Sequence, residues 1–450
     1  MEDRYETQGA GPRVAVASLG CAKNLVDTEL ILGKLGEAGY TLTDQAGEAE
    51  VLIVNTCGFI QAAKEESLET VLSLAEQKGH GRCRALVLAG CLAQRYGDTL
   101  FRELPEVDAV VGTGEYARLP EIVARALAGE RVLAVGAAGY LPEEGPRLVT
   151  TGPASAYVKI AEGCSHGCAF CAIPRMRGGY RSRSEESVAK EAEALVAGGV
   201  REITLVAQDT TAYGRDRCGE FKLPELLRRL ARLEGLVWLR FLYGHPAHLT
   251  PDLLGVMAEE EKVVKYLDLP LQHASAAVLR GMRRAGNGEE YLSLLERARA
   301  AVPGLVVRST FIVGFPGETD EAFAELLDFL RRARLDHAGF FVYSPEEGTP
   351  AARLRGRVPR EVAEERLRRA IRVQQAISAT CQRARRGRRD LVLVEKVGRR
   401  TVEGRTTREA PEVDGRVVLR GRAPVGTFVW GRIERTTAYD AFGVLEEVAR

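Results

Sequence analysis

The 450-residue chain has no apolar run approaching the ~20 residues that a bilayer-spanning helix needs. Its opening segment, Met1 to Pro12, is short and polar and lacks the apolar stretch of a secretory leader. Net charge is also missing. Lys and Arg number 63 against 62 Asp and Glu, a formal +1, so no global field draws the chain to nucleic acid or anionic lipid. Nor is the cysteine number even: there are nine. These absences predict a cytosolic protein with no membrane contact, in which disulfides are disfavoured and thiols serve metal binding or catalysis. What is present is bulk. At 45% hydrophobic residues, the chain can bury two to four cores of roughly 100–200 residues each.

Three cysteines, Cys164, Cys168 and Cys171, share one run, Glu162-Gly-Cys-Ser-His-Gly-Cys-Ala-Phe-Cys-Ala-Ile-Pro174. Three thiolates on a tight loop can hold three irons of a 4Fe–4S cube and leave the fourth iron open. This C-x3-C-x2-C spacing is the one used to bind S-adenosylmethionine for radical generation. A structural zinc site is the alternative. It needs a fourth ligand, and His166 falls between the first two cysteines.

Upstream, short apolar runs alternate with amphipathic stretches, the rhythm of an open parallel α/β sheet. Val14–Leu19, Val51–Val54, Ala85–Ala89 and Val107–Val111 read as strands, with helices over Asn24–Ala38 and about Ala62–Gln77. In such sheets ligands bind beyond the carboxyl ends of the strands. Cys21, Cys57 and Cys91 each follow such an end, so topology predicts that they converge and hold a second cluster. The plainer reading is three small buried cysteines. Cys83 precedes its strand and is set aside.

Tyr157–Ile160 leads directly into the three-cysteine loop. Five further strand-like runs follow between helices: Glu202–Ala207, Trp238–Tyr243, Tyr266–Leu271, Val306–Val313 and Ala338–Tyr343. Six β-α units suggest a partial (β/α)6 barrel of the TIM type, with chemistry at the strands' carboxyl ends. Those ends carry Gln208-Asp209, Gln272-His273 and the loop Gly314-Phe-Pro-Gly-Glu318. Thr250 before Pro251 reads as a helix cap, and Ser182 with Glu185 as a capping box. The glycines of the Gly314–Glu318 loop allow close backbone approach to a ligand, and a plain strand-to-helix turn fits them as well. Arg308 faces either a cofactor or an ion-pair partner. His245 and His248 read as loop structure.

A long amphipathic helix, Val362–Ala379, ends in a basic run, Gln382–Arg389, which is either a phosphate-binding patch or a solvated helix end. Beyond it, five short strands with Gly and Pro turns predict a small antiparallel β-barrel. From Leu391 to Arg450 there are eleven basic and nine acidic residues, a net of +2, with few aromatics. A dedicated RNA-binding barrel would show more of both.

With both cysteine sets and the last module in hand, the chain resembles the radical S-adenosylmethionine methylthiotransferases over nearly its whole length. Ser18-Leu-Gly-Cys-Ala-Lys-Asn-Leu-Val-Asp-Thr-Glu29, Tyr266–Ser275, Ser309–Glu318 and Ala410–Gly415 are similar to the branch that modifies ribosomal small-subunit protein 12. Ala22 departs from a proline common there and is not a ligand. The resemblance implies three units: a methylthiotransferase cluster domain over 11–127, a radical core over 150–380 and a TRAM module over 381–450. It implies two 4Fe–4S clusters, on Cys21, Cys57 and Cys91 and on Cys164, Cys168 and Cys171. It also implies S-adenosylmethionine, with Gln208, Arg308, Gly314 and Glu318 assigned as its contacts, and an electron from a one-electron reductant protein. The reaction implied replaces a hydrogen on an aspartate β-carbon by methylthio. Such a C–H is far too weak an acid for side-chain bases, so the chemistry belongs to the cofactor and the protein supplies aim and shielding. Two alternatives stand beside this: methylthiolation of a tRNA adenosine, and an iron–sulfur scaffold without turnover.

Overall fold

The computed structural model describes residues 11–449. Residues 1–10 of the polar opening segment lie outside the described part.

Six strands form one parallel sheet: β1 (Arg13–Ser18), β2 (Thr41–Leu42), β3 (Val51–Thr56), β4 (Ala85–Gly90), β5 (Ala109–Val111) and β6 (Val132–Ala134). Their order is β2-β1-β3-β4-β5-β6. Every residue of β3 and β4 is buried, as expected of parallel strands covered on both faces. The apolar pattern gives four of these strands; β2 and β6 have two and three residues, too few to show one. β6 pairs with β5 through Ala109 and Val132, so the sheet continues past residue 127. The chain runs from β1 through helix α1 (Ala22–Glu37) to β2, then returns to β3 on the other side of β1. The sheet therefore switches direction between β1 and β3, where a crevice opens at the carboxyl ends.

The central part holds β7 (Ser155–Lys159), a small antiparallel pair β8 (Ala161–Glu162) and β9 (Arg181–Ser182), then β10 (Glu202–Val206), β11 (Trp238–Phe241), β12 (Tyr266–Asp268), β13 (Val306–Val313) and β14 (His337–Val342). Two parallel three-stranded ladders, β7-β10-β11 and β12-β13-β14, make an incomplete barrel, joined by a bridge from Leu239 to Val263 and by the amides of Tyr243 and Gly244, which donate to Asp268. Thr250 caps its helix through Leu253 N–H, with Pro251 in the first turn. The capping box is corrected. Ser184, not Ser182, caps helix Glu185–Ala197 by accepting from Ser187 N–H. Ser182 lies in β9 and bonds Asp216 instead.

β15 (Arg389–Val397), β16 (Thr401–Arg405), β17 (Val417–Arg420), β18 (Phe428–Thr436) and β19 (Ala441–Val448) close into a barrel, β15-β16-β17-β19-β18. This barrel docks on the amino ends of the central strands. Arg405 and Arg240 clamp Glu202, the first residue of β10. Tyr266, the first of β12, donates to Asp414, and Arg408 pairs with Asp336. The basic run is partly absorbed by the same docking, since Arg385 is buried against Glu409 and Asp390.

The first sheet's α1 is not peripheral. Its Ala22 and Val26 share one apolar cluster with Tyr157, Val206, Leu242 and Tyr266 of the central strands and with Leu393 and Phe428 of the last barrel. The three parts meet along this helix. Among the described residues, no helix is long and apolar enough to cross a membrane.

Candidate iron–sulfur and S-adenosylmethionine site

Cys21 follows β1 and caps α1, accepting from the amides of Asn24 and Leu25 through its carbonyl. Cys57 follows β3, and Cys91 opens helix Cys91–Glu103 directly after β4. Two glycines in left-handed backbone, Gly20 at φ 95° and Gly90 at φ 103°, turn the chain so that the cysteines meet. A β-carbon on Gly20 would lie 2.8 Å from Cys57 Cβ and 3.1 Å from its sulfur. A β-carbon on Gly58 would lie 3.0 Å from the Cys91 carbonyl. The three cysteines therefore converge at the crevice, as topology predicted. Burial pushes the Cys91 thiol up to about 12, with the Arg177 guanidinium pulling the other way, and burial also raises Cys57.

Cys164, Cys168 and Cys171 sit on the loop closed at its base by β8 and β9. Cys164 N–H donates to the Gly178 carbonyl at 3.1 Å. Ala169 bonds Met282 and Ala351 through its amide and carbonyl. Burial raises Cys164 and takes Cys171 to about 12. Thiols held so high ligate metal only by giving up their protons, so loading either set releases acid.

Among the described residues, neither cysteine set has three sulfurs within 4.8 Å of one another. One tetrahedral zinc ion with bonds of about 2.3 Å would draw its sulfurs to within ~4 Å. The wider spread fits a polynuclear cluster. His166, the fourth ligand that zinc required, is engaged elsewhere: its Nε2 bonds Asp209, which also binds His248 Nδ1. His166, His245 and His248 do cluster. The rings of His166 and His245, however, stack in parallel, 4.1 Å apart at 8°. In-plane lone pairs of two parallel rings cannot aim at one ion, so the group reads as a clamp on the cysteine loop. Asp209 completes the clamp by accepting from Thr211 and Ala212, and its carbonyl accepts from the Tyr180 hydroxyl.

Buried charges join the two cysteine sets. Arg177, seven residues before the capping serine, donates from Nε to Cys91 Sγ at 3.1 Å. Its other nitrogens reach Asn24, Asp27 and Glu162. Lys159 bonds the same two carboxylates, and Gln208 Nε2 donates to Glu162 at 2.6 Å. Two carboxylates and two cations thus balance inside the junction. Lys159 and Arg177 hold Glu162 at about 2 against burial, which acts upward. Glu346, beyond β14, adds a second tie by receiving Lys64 and Arg95 from the first domain.

The proposed cofactor contacts separate. Gln208 lies at the carboxyl end of β10 with its Oε1 buried and without a partner, an acceptor available to a ligand. Arg308 is otherwise placed: it binds Asp268 and Asp414 and so joins the central strands to the last barrel, the ion-pair reading rather than the cofactor reading. Glu318 turns back on its own loop, accepting from Gly314 and Phe315 amides and pairing with Arg366. A β-carbon on Gly314 would come 2.5 Å from Ala363 Cβ, so this glycine admits helix Arg360–Arg383. Pattern reading missed Arg177, Lys159, Glu162 and Asp27. Their one signal was charged residues spaced along otherwise buried stretches.

Family models match in chain order: "Uncharacterized protein family UPF0004" over residues 13–112, the radical SAM superfamily over 158–330 and the TRAM domain over 387–445. The ribosomal protein uS12 methylthiotransferase RimO of Desulforudis audaxviator is 51% identical over 431 residues, covering 95% of this chain and 96% of that protein. The protein of the same name from Moorella thermoacetica is 51% identical over 437 residues, covering 97% and 99%. That from Geobacter sulfurreducens is 45% identical over 440 residues, covering 96% and 98%. Among solved structures, the radical S-adenosylmethionine methyltransferase TsrM of Kitasatospora setae superposes with a TM-score of 0.57 at 14% identity, over 82% of this chain and 89% of that one. That likeness speaks for the fold alone. With identity near one half sustained from end to end, the chain belongs to the ribosomal protein uS12 methylthiotransferase family.

Proposed function

We propose that this protein methylthiolates the β-carbon of an aspartate in ribosomal protein uS12, using S-adenosylmethionine and two 4Fe–4S clusters. One observation carries the reading: two sets of three cysteines lie at strand ends of adjoining sheets, tied by Arg177 between Cys91 and Glu162. Cys164, Cys168 and Cys171 would hold the cluster that binds S-adenosylmethionine, and Cys21, Cys57 and Cys91 the second. When bound, these groups supply radical hydrogen abstraction and sulfur. The chain's own residues do the rest. His166 and Asp209 fix the cysteine loop. Gln208 offers its free carbonyl oxygen to the S-adenosylmethionine head. The glycine turns at 20 and 90 aim the second cysteine set. Gly314 and Glu318 shape the loop behind the site. The division is into 11–127, 150–380 and 381–450, with the first bound moved on to Ala134 because β6 pairs with β5.

The last barrel, near neutral and docked on the amino ends of the strands, favours a protein over an RNA target. A one-electron reductant protein is the second partner, and the cytoplasm, where uS12 is made, the expected location. The test is mass spectrometry of uS12 and of tRNA after anaerobic reaction with reconstituted enzyme, S-adenosylmethionine and dithionite. A methylthio mass increment on a uS12 aspartate is expected. Incorporation into tRNA alone overturns the substrate, and absence of 5′-deoxyadenosine overturns the reaction.

A further inference from the structure

The helix that carries Cys21 at its cap is unusually polar for a buried element. Lys23, Asn24, Asp27, Thr28 and Glu29 are all buried in its first two turns. Four of them have complete partner sets. Asn24 Nδ2 donates to the carbonyls of Leu19, Asn55 and Thr56, and its Oδ1 accepts from Arg177. Asp27 takes Lys159 and Arg177. Thr28 bonds Ser18 and Asn55. Glu29 takes Arg147 and Thr150.

Lys23 is the exception. It is 8% exposed, yet among the described residues no carboxylate lies within ion-pair distance of it. Its ammonium stands 3.1 Å from the centre of the Tyr243 ring. Asp268, the nearest acid facing it, is already committed to Arg308 and to Tyr243 N–H. An aromatic face eases a buried cation but does not neutralise it.

The position is specific. Lys23 is two residues from Cys21, and Tyr243 lies just past the carboxyl end of β11 in strained left-handed backbone, φ 63°. The cation is thus held between the sulfur-bearing crevice and the mouth of the barrel. The side-chain carboxylate of a target aspartate is bonded directly to the β-carbon that reacts.

We propose that the Lys23 ammonium binds the side-chain carboxylate of the substrate aspartate and thereby selects an acidic residue over an amide or a nucleobase. This rests on the function proposed above. A carboxylate completes the charge that the fold leaves open; an asparagine or a base leaves it buried and unpaired.

The experiment compares wild type, Lys23→Met and Lys23→Arg, each reconstituted anaerobically, on uS12 and on uS12 with the target aspartate changed to asparagine. Iron content, 5′-deoxyadenosine formed without substrate, and methylthio product are read together. For Lys23→Met we expect unchanged iron and unchanged substrate-free cleavage. Its kcat/KM on uS12 should fall about 100-fold or more, mostly through KM, as for loss of one partner of a buried charge pair. The preference for aspartate over asparagine should collapse. Lys23→Arg should retain that preference, and it decides the matter if the Met variant loses iron. A Met variant that modifies uS12 within threefold of wild type, or keeps the preference, overturns the proposal alone, as does an Arg variant without preference. Wild type that leaves uS12 untouched overturns the functional reading and this proposal together.

Discussion

Arg177 offers the sharpest perturbation of the junction. The guanidinium is buried and touches Cys91, Asn24, Asp27 and Glu162 at once. With Lys159 it balances two carboxylates inside the interface. Arg177→Met keeps much of the volume and leaves one uncompensated negative charge there. Breaking a buried ion pair from one side costs about 3–5 kcal/mol. At roughly 2–4 °C per kcal/mol for a unit of this size, the first calorimetric transition of the apoprotein should fall by roughly 6–20 °C. The double variant Arg177→Met with Asp27→Asn restores neutrality, so it should be more stable than the single one. The coupling between the two sites should be at least about 1 kcal/mol. A second readout is the reduction potential of the cluster on Cys91 in a chain whose Cys164, Cys168 and Cys171 are alanine. It should shift negative without the guanidinium, because hydrogen bonds and positive charge at a ligand sulfur favour the reduced state. If the two substitutions add without coupling, and the potential does not move, the charge-balance argument fails.

Three further outcomes are expected. Gly20→Ala places a β-carbon against Cys57 at a φ that side chains avoid, so reconstituted iron should drop from about eight atoms per chain to about four, with the second cluster's signal lost; full loading would show that the crevice yields. Asp209→Ala releases His166 and His248 from the cysteine loop, and a chelator should strip iron from that loop roughly 10–100-fold faster, measured against the untouched first-domain cluster. Glu202, acted on upward by burial and held down to about 2 by Arg405 and Arg240, secures the last barrel. Its contribution, up to about 3 kcal/mol, is complete above pH 4.5 and is lost as pH falls from there toward 2. Glu202→Gln should flatten the decline of the urea midpoint over that range, and an unchanged slope would count against the clamp.

How much was legible in the chain depended on the range of the cause. The C-x3-C-x2-C spacing is local chemistry, and so are the apolar runs of β1, β3, β4 and β13, of which β3 and β4 are buried along their whole length and β1 and β13 in part. Even the convergence of Cys21, Cys57 and Cys91 could be read, since parallel topology puts all strand ends on one edge. Arg308, Gly314 and Glu318 show the limit. Each has a residue type suited to a ligand. Their partners, Asp414, Ala363 and Arg366, arrive from elsewhere in the chain and give them packing roles instead.

The parts are written in spacing and periodicity within a few tens of residues: two sets of three thiols, a parallel sheet, a partial barrel and a small β module. How the parts face one another emerges from contacts made in the folded chain. Helix α1 crosses into the central strands, Arg177 bridges to Cys91, and Lys23 is left against Tyr243 with no ion-pair partner among the described residues. Lys23 and Tyr243 are 220 positions apart, and a buried charge is defined by what surrounds it rather than by what precedes it in the chain.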